Sequence, residues 1–416
     1  MSKPTNDCGC DRDSGDLISV DRAMELLLGA ARPLRVTEAV DTISSLNRVL
    51  AASCISAVNV PPMDNSAMDG YALRVSDVGD ADAGLPVSQR ICAGDTADPL
   101  QPGTVARIFT GAPVPAGADA VIMQEQAEVT DDKVCFTNPA TIGQNIRRSG
   151  EDVAVGDEIL TVGTRLRGQE MGLAASIGLL GLEVYRKLKV GIFFTGDELS
   201  EPGQELAPGK IYDSNRFTLH GLLSALGCEI IDLGIVEDTL DATRTGLQAA
   251  SDQADLVVTS GGVSVGEEDY VRIALEELGE LTMWRIAMKP GKPLAFGHVG
   301  ETPFIGLPGN PVSVFATFNL FATPFIKKMQ GMANYLTAPI PVIAGFDWPR
   351  EGNRQEYLRV KLEITTDGQR RAQAYPHQGS GVLTSTSWAD GFIVVSIGET
   401  FKQGDLVNYL PFSEFR

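Results

Sequence analysis

Several short stretches of this chain carry residue types that could handle a phosphate, a divalent cation or an oxyanion. The richest is Thr259-Ser-Gly-Gly-Val-Ser-Val-Gly-Glu-Glu-Asp269. Gly261 and Gly262 let the backbone approach an anion closely and take positive φ. Ser260 and Ser264 add hydroxyls, and Glu267, Glu268 and Asp269 add carboxylates where a helix should begin. Backbone amides at a helix start suit a phosphate, and carboxylates working with water and substrate phosphates suit Mg2+. The same residues also make an ordinary glycine turn with acidic helix caps. Thr195-Gly-Asp-Glu-Leu199 and Glu237-Asp238-Thr239 add further acids. Lys289-Pro-Gly-Lys292 is their opposite in sign. Two ammonium groups on a backbone stiffened by Pro290 and Pro293 suit an oxyanion, although two solvated surface lysines would read the same way. Arg147 and Arg148, ahead of Glu151 and Asp152, are either a second cationic cluster or a salt-bridged loop. Asp64-Asn-Ser-Ala-Met-Asp-Gly-Tyr71 is dense in polar side chains, and reads equally as a pair of Asx turns around a methionine.

For these residues to meet, something must hold them at one edge. Apolar runs at 188–194, 229–236 and 254–260 read as strands, separated by helical patterns at 215–226, 240–250 and 270–278. Short strands at 293–297 and 303–307 and a long helix at 312–329 follow. Such alternation predicts a doubly wound, mostly parallel sheet, whose ligands bind beyond the carboxyl ends of the strands. The loops at those ends are 195–199, 237–239, 259–269 and Pro308-Gly-Asn-Pro-Val-Ser313. Their convergence favours a phosphate and Mg2+ site over surface capping.

The rest of the chain is of other types. Ser19 and Asp21 can cap a helix over 20–31, and a second short helix fits 44–52. From 55 to 150, short alternating runs at 71–75, 105–110, 120–124 and 134–136 between Gly and Pro turns predict a β-rich module. A helix near 168–178 follows, and the tail from 337 alternates again at 340–345, 357–364, 392–395 and 406–410, as in a small barrel. The whole is an α/β and β multidomain chain. The expected division is a disordered tail at 1–16, a small, discontinuous helical N-terminal domain from 17–54 plus 151–186, the inserted module at 55–150, the α/β domain at 187–336 and a C-terminal β-barrel at 337–416.

Composition bounds the function. The chain has 416 residues, 43% hydrophobic and 21% charged, with a net charge of −20. That charge argues against a nucleic-acid surface and against attraction to anionic lipid. Of the six cysteines only Cys8 and Cys10 are close, with no second pair for a zinc site. His220 falls within an expected helix and reads as packing. The first sixteen residues hold no apolar leader, so a reducing, cytoplasmic setting is expected. The longest apolar run, 311–326, is too short and too polar to cross a bilayer. No nucleophile elbow, Walker A or zincin pattern occurs.

In their order, these stretches resemble one family. Asp64–Tyr71, Thr110-Gly-Ala-Pro-Val-Pro115, Gly143-Gln-Asn-Ile-Arg-Arg148 with Gly150-Glu-Asp152, Thr195–Leu199, Ile211-Tyr-Asp-Ser-Asn-Arg216, the 259–269 stretch, Lys289-Pro-Gly-Lys-Pro293 and Leu307-Pro-Gly-Asn-Pro311 are similar to molybdopterin molybdenumtransferase, the family that includes the C-terminal domain of gephyrin. The resemblance covers nearly the whole chain from about Leu17. It implies insertion of molybdate into adenylylated molybdopterin with release of AMP, in an elongated homodimer whose sites lie between the sheet and barrel of one subunit and the β module of the other. By motif, Asp238 and Asp269 would hold Mg2+, with Glu198 in the same acidic cluster. Ser260, Gly261, Gly262 and Ser264 would face the phosphates, and Pro308 and Pro311 would shape the loop near the pterin. Lys289, Lys292, Ser313, Arg359 and Ser380 would form the molybdate pocket, and Asp69, Thr110 and Asp152 would reach the partner's site. Arg285 stands where some relatives carry Lys; its planar fork keeps the charge and changes the geometry. Molybdopterin adenylyltransferase and acceptor molybdoenzymes follow as candidate partners.

Two other readings stay open at this point. The sheet domain alone also resembles molybdopterin adenylyltransferases and the competence-damage-inducible family of nucleotide-processing enzymes. A non-catalytic scaffold, as in gephyrin's anchoring role, is the other.

Overall fold

Long runs of apolar residues with no polar alternation form strands only when both faces are covered, and Lys189–Thr195 and Leu256–Ser260 are such strands, buried along nearly their whole length. The computed structural model describes residues 17–78, 84–131, 133–262, 269–366 and 368–415. Segment 1–16 with Cys8 and Cys10, and the stretch holding Ser264, Glu267 and Glu268, lie outside the described residues.

The two strands sit in a six-stranded sheet ordered Glu229–Val236, Lys189–Thr195, Leu256–Ser260, Thr302–Leu307, Pro293–Val299, Gly279–Arg285. The first four run parallel. The last two are antiparallel additions, and Gly279–Arg285 is a strand that the sequence reading left out. The chain leaves Lys189–Thr195, pairs on one side through Glu229–Val236 and returns to pair on the other through Leu256–Ser260. That reversal is the topological switch point, where a crevice opens beyond the strand ends.

Helices cover both faces. Leu219 and Leu223 of Ser214–Ala225 pack with Val190, Ile192 and Val258. Leu247 and Ala250 of Leu240–Gln253 and Val271 and Leu275 of Tyr270–Leu278 pack with Phe193 and Val257 on the other face. The helix expected over 312–329 is broken into Pro311–Thr317, a π-type turn Phe318–Ala322 and Thr323–Met329. Pro324 has no N–H to give Leu320, so the ladder shifts and Thr323 N–H bonds Phe318 O instead. Asn319 Nδ2 donates to the Phe315 carbonyl at 2.8 Å within this irregular stretch.

Helix Val20–Ala30 begins as its sequence suggests, with Arg22 N–H donating to Ser19 Oγ at 3.2 Å. It seats Val20, Ala23 and Leu27 in the α/β core, not among the strands that follow it. The short helix expected at 44–52 is absent. A 3-10 turn, Thr42–Ser44, is followed by Asn47 at φ 64°, which ends helical geometry, and Val49 and Leu50 then bridge to Arg165 and Val184. Leu46, counted with them as one apolar face, is 55% exposed. Strand Thr37–Asp41 pairs with Gly181–Tyr185, and Cys54–Ile55 with Glu158–Leu160, so segments far apart in sequence share one core. His220, expected to pack, is exposed on its helix.

Between the last-named pair the chain makes a six-stranded curled sheet ordered Ala120–Met123, Gly70–Leu73, Val105–Ile108, Leu85–Ile91, Lys133–Phe136, Ala127–Thr130. The C-terminal strands Gln355–Ile364, Arg370–Ala374, Ile340–Ala344, Leu406–Pro411 and Gly391–Val395 pair in that order, and the last closes on the first to give a barrel. A further short strand, Met288–Lys289, leaves the α/β unit and pairs with Gln355 and Glu356 of the barrel. No helix among the described residues is long and apolar enough to cross a membrane.

Candidate active site

The strand ends at the switch point bring together Asp238, Ser260, Gly261, Gly262 and Asp269, with Glu198 on a neighbouring loop. Thr195, the last residue of its strand, pairs with Val236, two residues before Asp238. Its hydroxyl donates to Asp238 Oδ1 at 2.7 Å. Phe194 pairs with Ser260 on the other side. Gly261 N–H donates to the Leu307 carbonyl at 3.1 Å, which brings the loop after Leu256–Ser260 against the loop after Thr302–Leu307. The two loops touch where a Cβ on Gly309 would stand 3.7 Å from Gly261 Cα. Gly262 has φ +62°, and a Cβ there would lie 2.6 Å from Val271 Cγ2 and 3.5 Å from Asp269 Oδ1. Only glycine fits that backbone, and it sets the turn beside the Asp269 carboxylate. Asp269 is buried and stands at the N-cap position, yet its side chain makes no capping hydrogen bond to the helix. Glu198 is exposed on the neighbouring loop, held through its carbonyl, which accepts from Ile211 N–H at 2.7 Å.

Polar atoms at this edge are left without partners inside the described chain. Ser260 Oγ is one; Asn215 Oδ1 and Asp213 Oδ2 are others. Buried polar atoms are rarely left so, and a ligand is one resolution. Asn215 Nδ2 donates to the Gly309 carbonyl at 2.7 Å, so the amide sits against the same two loops. Asp213 caps Ser214–Ala225 through Arg216 N–H, and its burial pushes its carboxyl above the usual range. The sequence reading used the Ile211–Arg216 motif for recognition and passed over Asp213 and Asn215 as site residues. The signal was there: an Asx residue at a helix start directly following a short strand.

A second cluster lies where the α/β unit meets the barrel. Lys289 pairs in register with Glu356, and its Nζ lies 3.6 Å from Glu356 Oε2. Lys292 is half-buried and forms no ion pair with described residues, and its carbonyl accepts from Ile286 N–H at 2.7 Å. Gly291 between them has φ +99°; a Cβ there would lie 2.6 Å from Thr317 Cγ2 and 3.7 Å from Ser313 Cβ. Ser313 is buried in the first turn of the helix that Pro311 opens at its first position, with Pro308 buried in the loop before it. Val312 N–H donates to the Ser380 carbonyl at 3.0 Å. Lysine loop, Ser313 and Ser380 are therefore neighbours. Arg359, 1% exposed, stands behind them. Its guanidinium donates to Ser385 Oγ at 3.1 Å and to the Gly379 carbonyl at 3.0 Å, fixing the loop that carries Ser380. Burial lowers its pKa to about 10, opposed by Glu356, so it stays charged at neutral pH.

Asp69 and Thr110 form a separate pair in the β module. Asp69 Oδ1 accepts from both Thr110 N–H and Thr110 Oγ1 at 2.8 Å, and these bonds hold its carboxyl below the usual range. Asp64, at the other end of the same motif, accepts from Ser149 N–H at 2.9 Å and Arg148 Nη1 at 2.6 Å. Arg148 is thus salt-bridged, while Arg147 is exposed in the strand pair opposite Asn65. Asp152 is exposed, with its N–H on the Val60 carbonyl at 3.0 Å. The hydrogen bonds of these residues stay within the module and its connecting strands.

Among the described residues no group of three or more His, Cys, Asp or Glu could hold a metal by itself. The donors present are hard oxygens: Asp238, buried Asp269 and the unpartnered Ser260 hydroxyl. They fit Mg2+, which keeps waters and takes phosphate oxygens to complete its shell, and they do not fit a soft or fully caged ion.

Glycine loops and oxygen donors at the strand ends, with a lysine-bearing strand that pairs with a barrel, define a multidomain protein of the doubly wound, ligand-binding α/β class. Residues 191–328 match a probable molybdopterin binding domain, 18–178 the MoeA N-terminal region (domain I and II) and 341–412 the MoeA C-terminal region (domain IV). The chain belongs to the molybdopterin molybdenumtransferase family. It is 42% identical to the molybdopterin molybdenumtransferase of Haemophilus influenzae over 92% of this chain and 97% of that one. It is 36% identical to the enzyme of that name from Nostoc sp., over 88% and 86%. A crystal structure of the molybdopterin biosynthesis moeA protein from Pyrococcus horikoshii superposes with a TM-score of 0.82 at 32% identity, covering 95% of this chain and all of the other.

Proposed function

We propose that this chain inserts molybdate into adenylylated molybdopterin and releases AMP. The observation that carries this reading is that one segment, Gly309 to Ser313, touches two chemically opposite clusters: the glycine loop and oxygen donors at the strand ends through Gly261, and the Lys289–Lys292 loop through Gly291. A phosphoanhydride needs its negative charge met at one place, and a molybdate dianion needs cations at another. In this overall acidic chain both are provided locally.

Asp238 and Asp269 would hold Mg2+, which when bound neutralises charge on the substrate phosphates. The Gly262 amide and the Ser260 hydroxyl, with Ser264, bind the phosphates, and Gly261, its own N–H held by the Leu307 carbonyl, shapes the turn that presents them. Glu198 lies at the rim as a further acid. Lys289, Lys292, Ser313 and Ser380 bind molybdate, and Arg359 adds its charge from behind the Ser380 loop. Pro308 and Pro311 set the loop beside the pterin. The two dithiolene thiols bind molybdenum, their protons leaving with one displaced molybdate oxygen as water, and a water attacks the anhydride phosphorus, so that AMP leaves and the pterin keeps its phosphate. Positioning and charge, not a covalent protein intermediate, account for the rate. Asp69, Thr110 and Asp152 complete the site of a second copy in an elongated homodimer. The matches at 18–178 and 341–412, outside the sheet, weigh against a stand-alone adenylyltransferase.

The test is AMP release from adenylylated molybdopterin with Mg2+, with and without molybdate. Molybdate-dependent release that is lost in Asp269→Ala and Lys289→Ala supports the reading. Turnover of free molybdopterin with ATP, without a partner protein, would replace it with adenylyl transfer.

A further inference from the structure

Thr195 lies between the two strand ends that carry the oxygen donors. Its own backbone pairs with Val236 on one side, and its neighbour Phe194 pairs with Ser260 on the other. Its carbonyl lies 3.7 Å from the position a Cβ on Gly261 would take. Thr195 as a residue is 7% exposed, so water competes little for its hydroxyl. That hydroxyl has one proton and gives it to Asp238 Oδ1 at 2.7 Å. A bond to an ionised carboxylate is among the stronger ones. Threonine is stiff about χ1, so the donor is held in place before any ligand arrives.

The geometry points to Thr195 as the positioning residue of Asp238. One bond fixes the rotation of the carboxylate and leaves Oδ2, with a lone pair of Oδ1, for a divalent cation. This rests on the assignment of Asp238 as a Mg2+ ligand. Outer partners of this kind change cation affinity without touching the cation. Valine has the shape of threonine and no proton to give, whereas serine keeps the proton and loses only the methyl group.

The test needs no turnover. Mn2+ binding is titrated in the presence of AMP by the EPR signal of free Mn2+, for wild type, Thr195→Val, Thr195→Ser and Asp238→Ala. Thr195→Val is expected to raise the Mn2+ Kd by about 10- to 100-fold, Thr195→Ser by less than about threefold, and all metal-free melting temperatures to stay within a few degrees. Thr195→Ala takes the place of the valine variant if that fails to fold. Wild-type affinity in Thr195→Val, with binding lost in Asp238→Ala, overturns the role of Thr195 alone. Wild-type affinity in Asp238→Ala overturns the cation assignment and the proposal with it.

Discussion

Lys289 and Glu356 pair backbone to backbone across the seam between the α/β unit and the barrel, with Nζ 3.6 Å from Oε2. The lysine side chain is half exposed and the glutamate only 11%. At that distance and exposure the ion pair contributes little stability, on the order of 0–1 kcal/mol. Its effect is to hold an ammonium group at the seam, two residues before Gly291, which packs against Ser313. Lys289→Ala should therefore leave the melting temperature nearly unchanged while molybdate-dependent AMP release falls about 100-fold, the scale seen when one oxyanion donor is removed. A loss that tracks unfolding, or none at all, would remove Lys289 from the pocket.

The two aspartates of the Asp64–Tyr71 motif have different work. Asp64 ties the module's connecting strands together through Ser149 N–H and Arg148, while Asp69 offers a solvent-facing carboxylate beside Thr110. Asp69→Asn should keep stability, since an amide oxygen can still accept from Thr110, and should lose AMP release. Asp64→Ala should destabilise by about 1 kcal/mol, its partners being substantially exposed. The Ser149 amide, ahead of opposing burial and then Arg148, holds the Asp64 carboxyl below its ordinary 3.8. Its stabilisation is then present at neutral pH and is lost as pH falls below that value. Acid titration of wild type against Asp64→Ala, followed by circular dichroism, should show the two curves converging there.

Strand-end loops were legible in the sequence because a buried parallel strand is a run of Val, Ile and Phe that ends abruptly in Gly, Ser or Asp. The loops that carry Asp238 and Ser260 were placed on that rule, while the choice of Asp238 for Mg2+ came from the family motif. Arg359 was not so readable: its type suggests an open cation, but whether a guanidinium faces ligand or backbone depends on Gly379 and Ser385, 20 and 26 residues further along the chain. Asn215 was missed because its partner, Gly309, is adjacent only after the sheet forms. The 44–52 helix failed for a local reason, the left-handed Asn47 and the pull of Leu50 into a bridge with Val184. Gly279–Arg285 has Glu280, Thr282 and Arg285 on an edge strand, with no run of apolar residues to mark it.

Gly291 offers a probe of the lysine loop that changes no charge. Its φ of +99° costs any other residue about 1–2 kcal/mol, and an added Cβ would press on Thr317 Cγ2 at 2.6 Å. Gly291→Ala should displace Lys289 and Lys292 from Ser313, raising the KM for molybdate more than that for adenylylated molybdopterin. Equal changes in both constants would mean that the loop does not sort the two substrates.

Lys327 predicts an unusual alkaline response. It is 6% exposed and donates to the Glu414 carbonyl at 3.0 Å. Burial first, and Arg165 second, lower its pKa from 10.5 to about 8, against a small opposing pull from Glu414. Below pH 8 the amine is charged in both folded and unfolded chains, and the folded state carries the full cost. Between about pH 8 and 10.5 the folded chain gives up the proton while the unfolded chain keeps it, so this group makes stability rise with pH. The gain is at most about 3 kcal/mol, from 1.36 kcal/mol per pKa unit. Lys327→Met removes the titration. Thermal midpoints measured from pH 7 to 10 should therefore show wild type gaining on Lys327→Met as pH rises. A constant difference across that range would place the lysine's proton outside the folding balance.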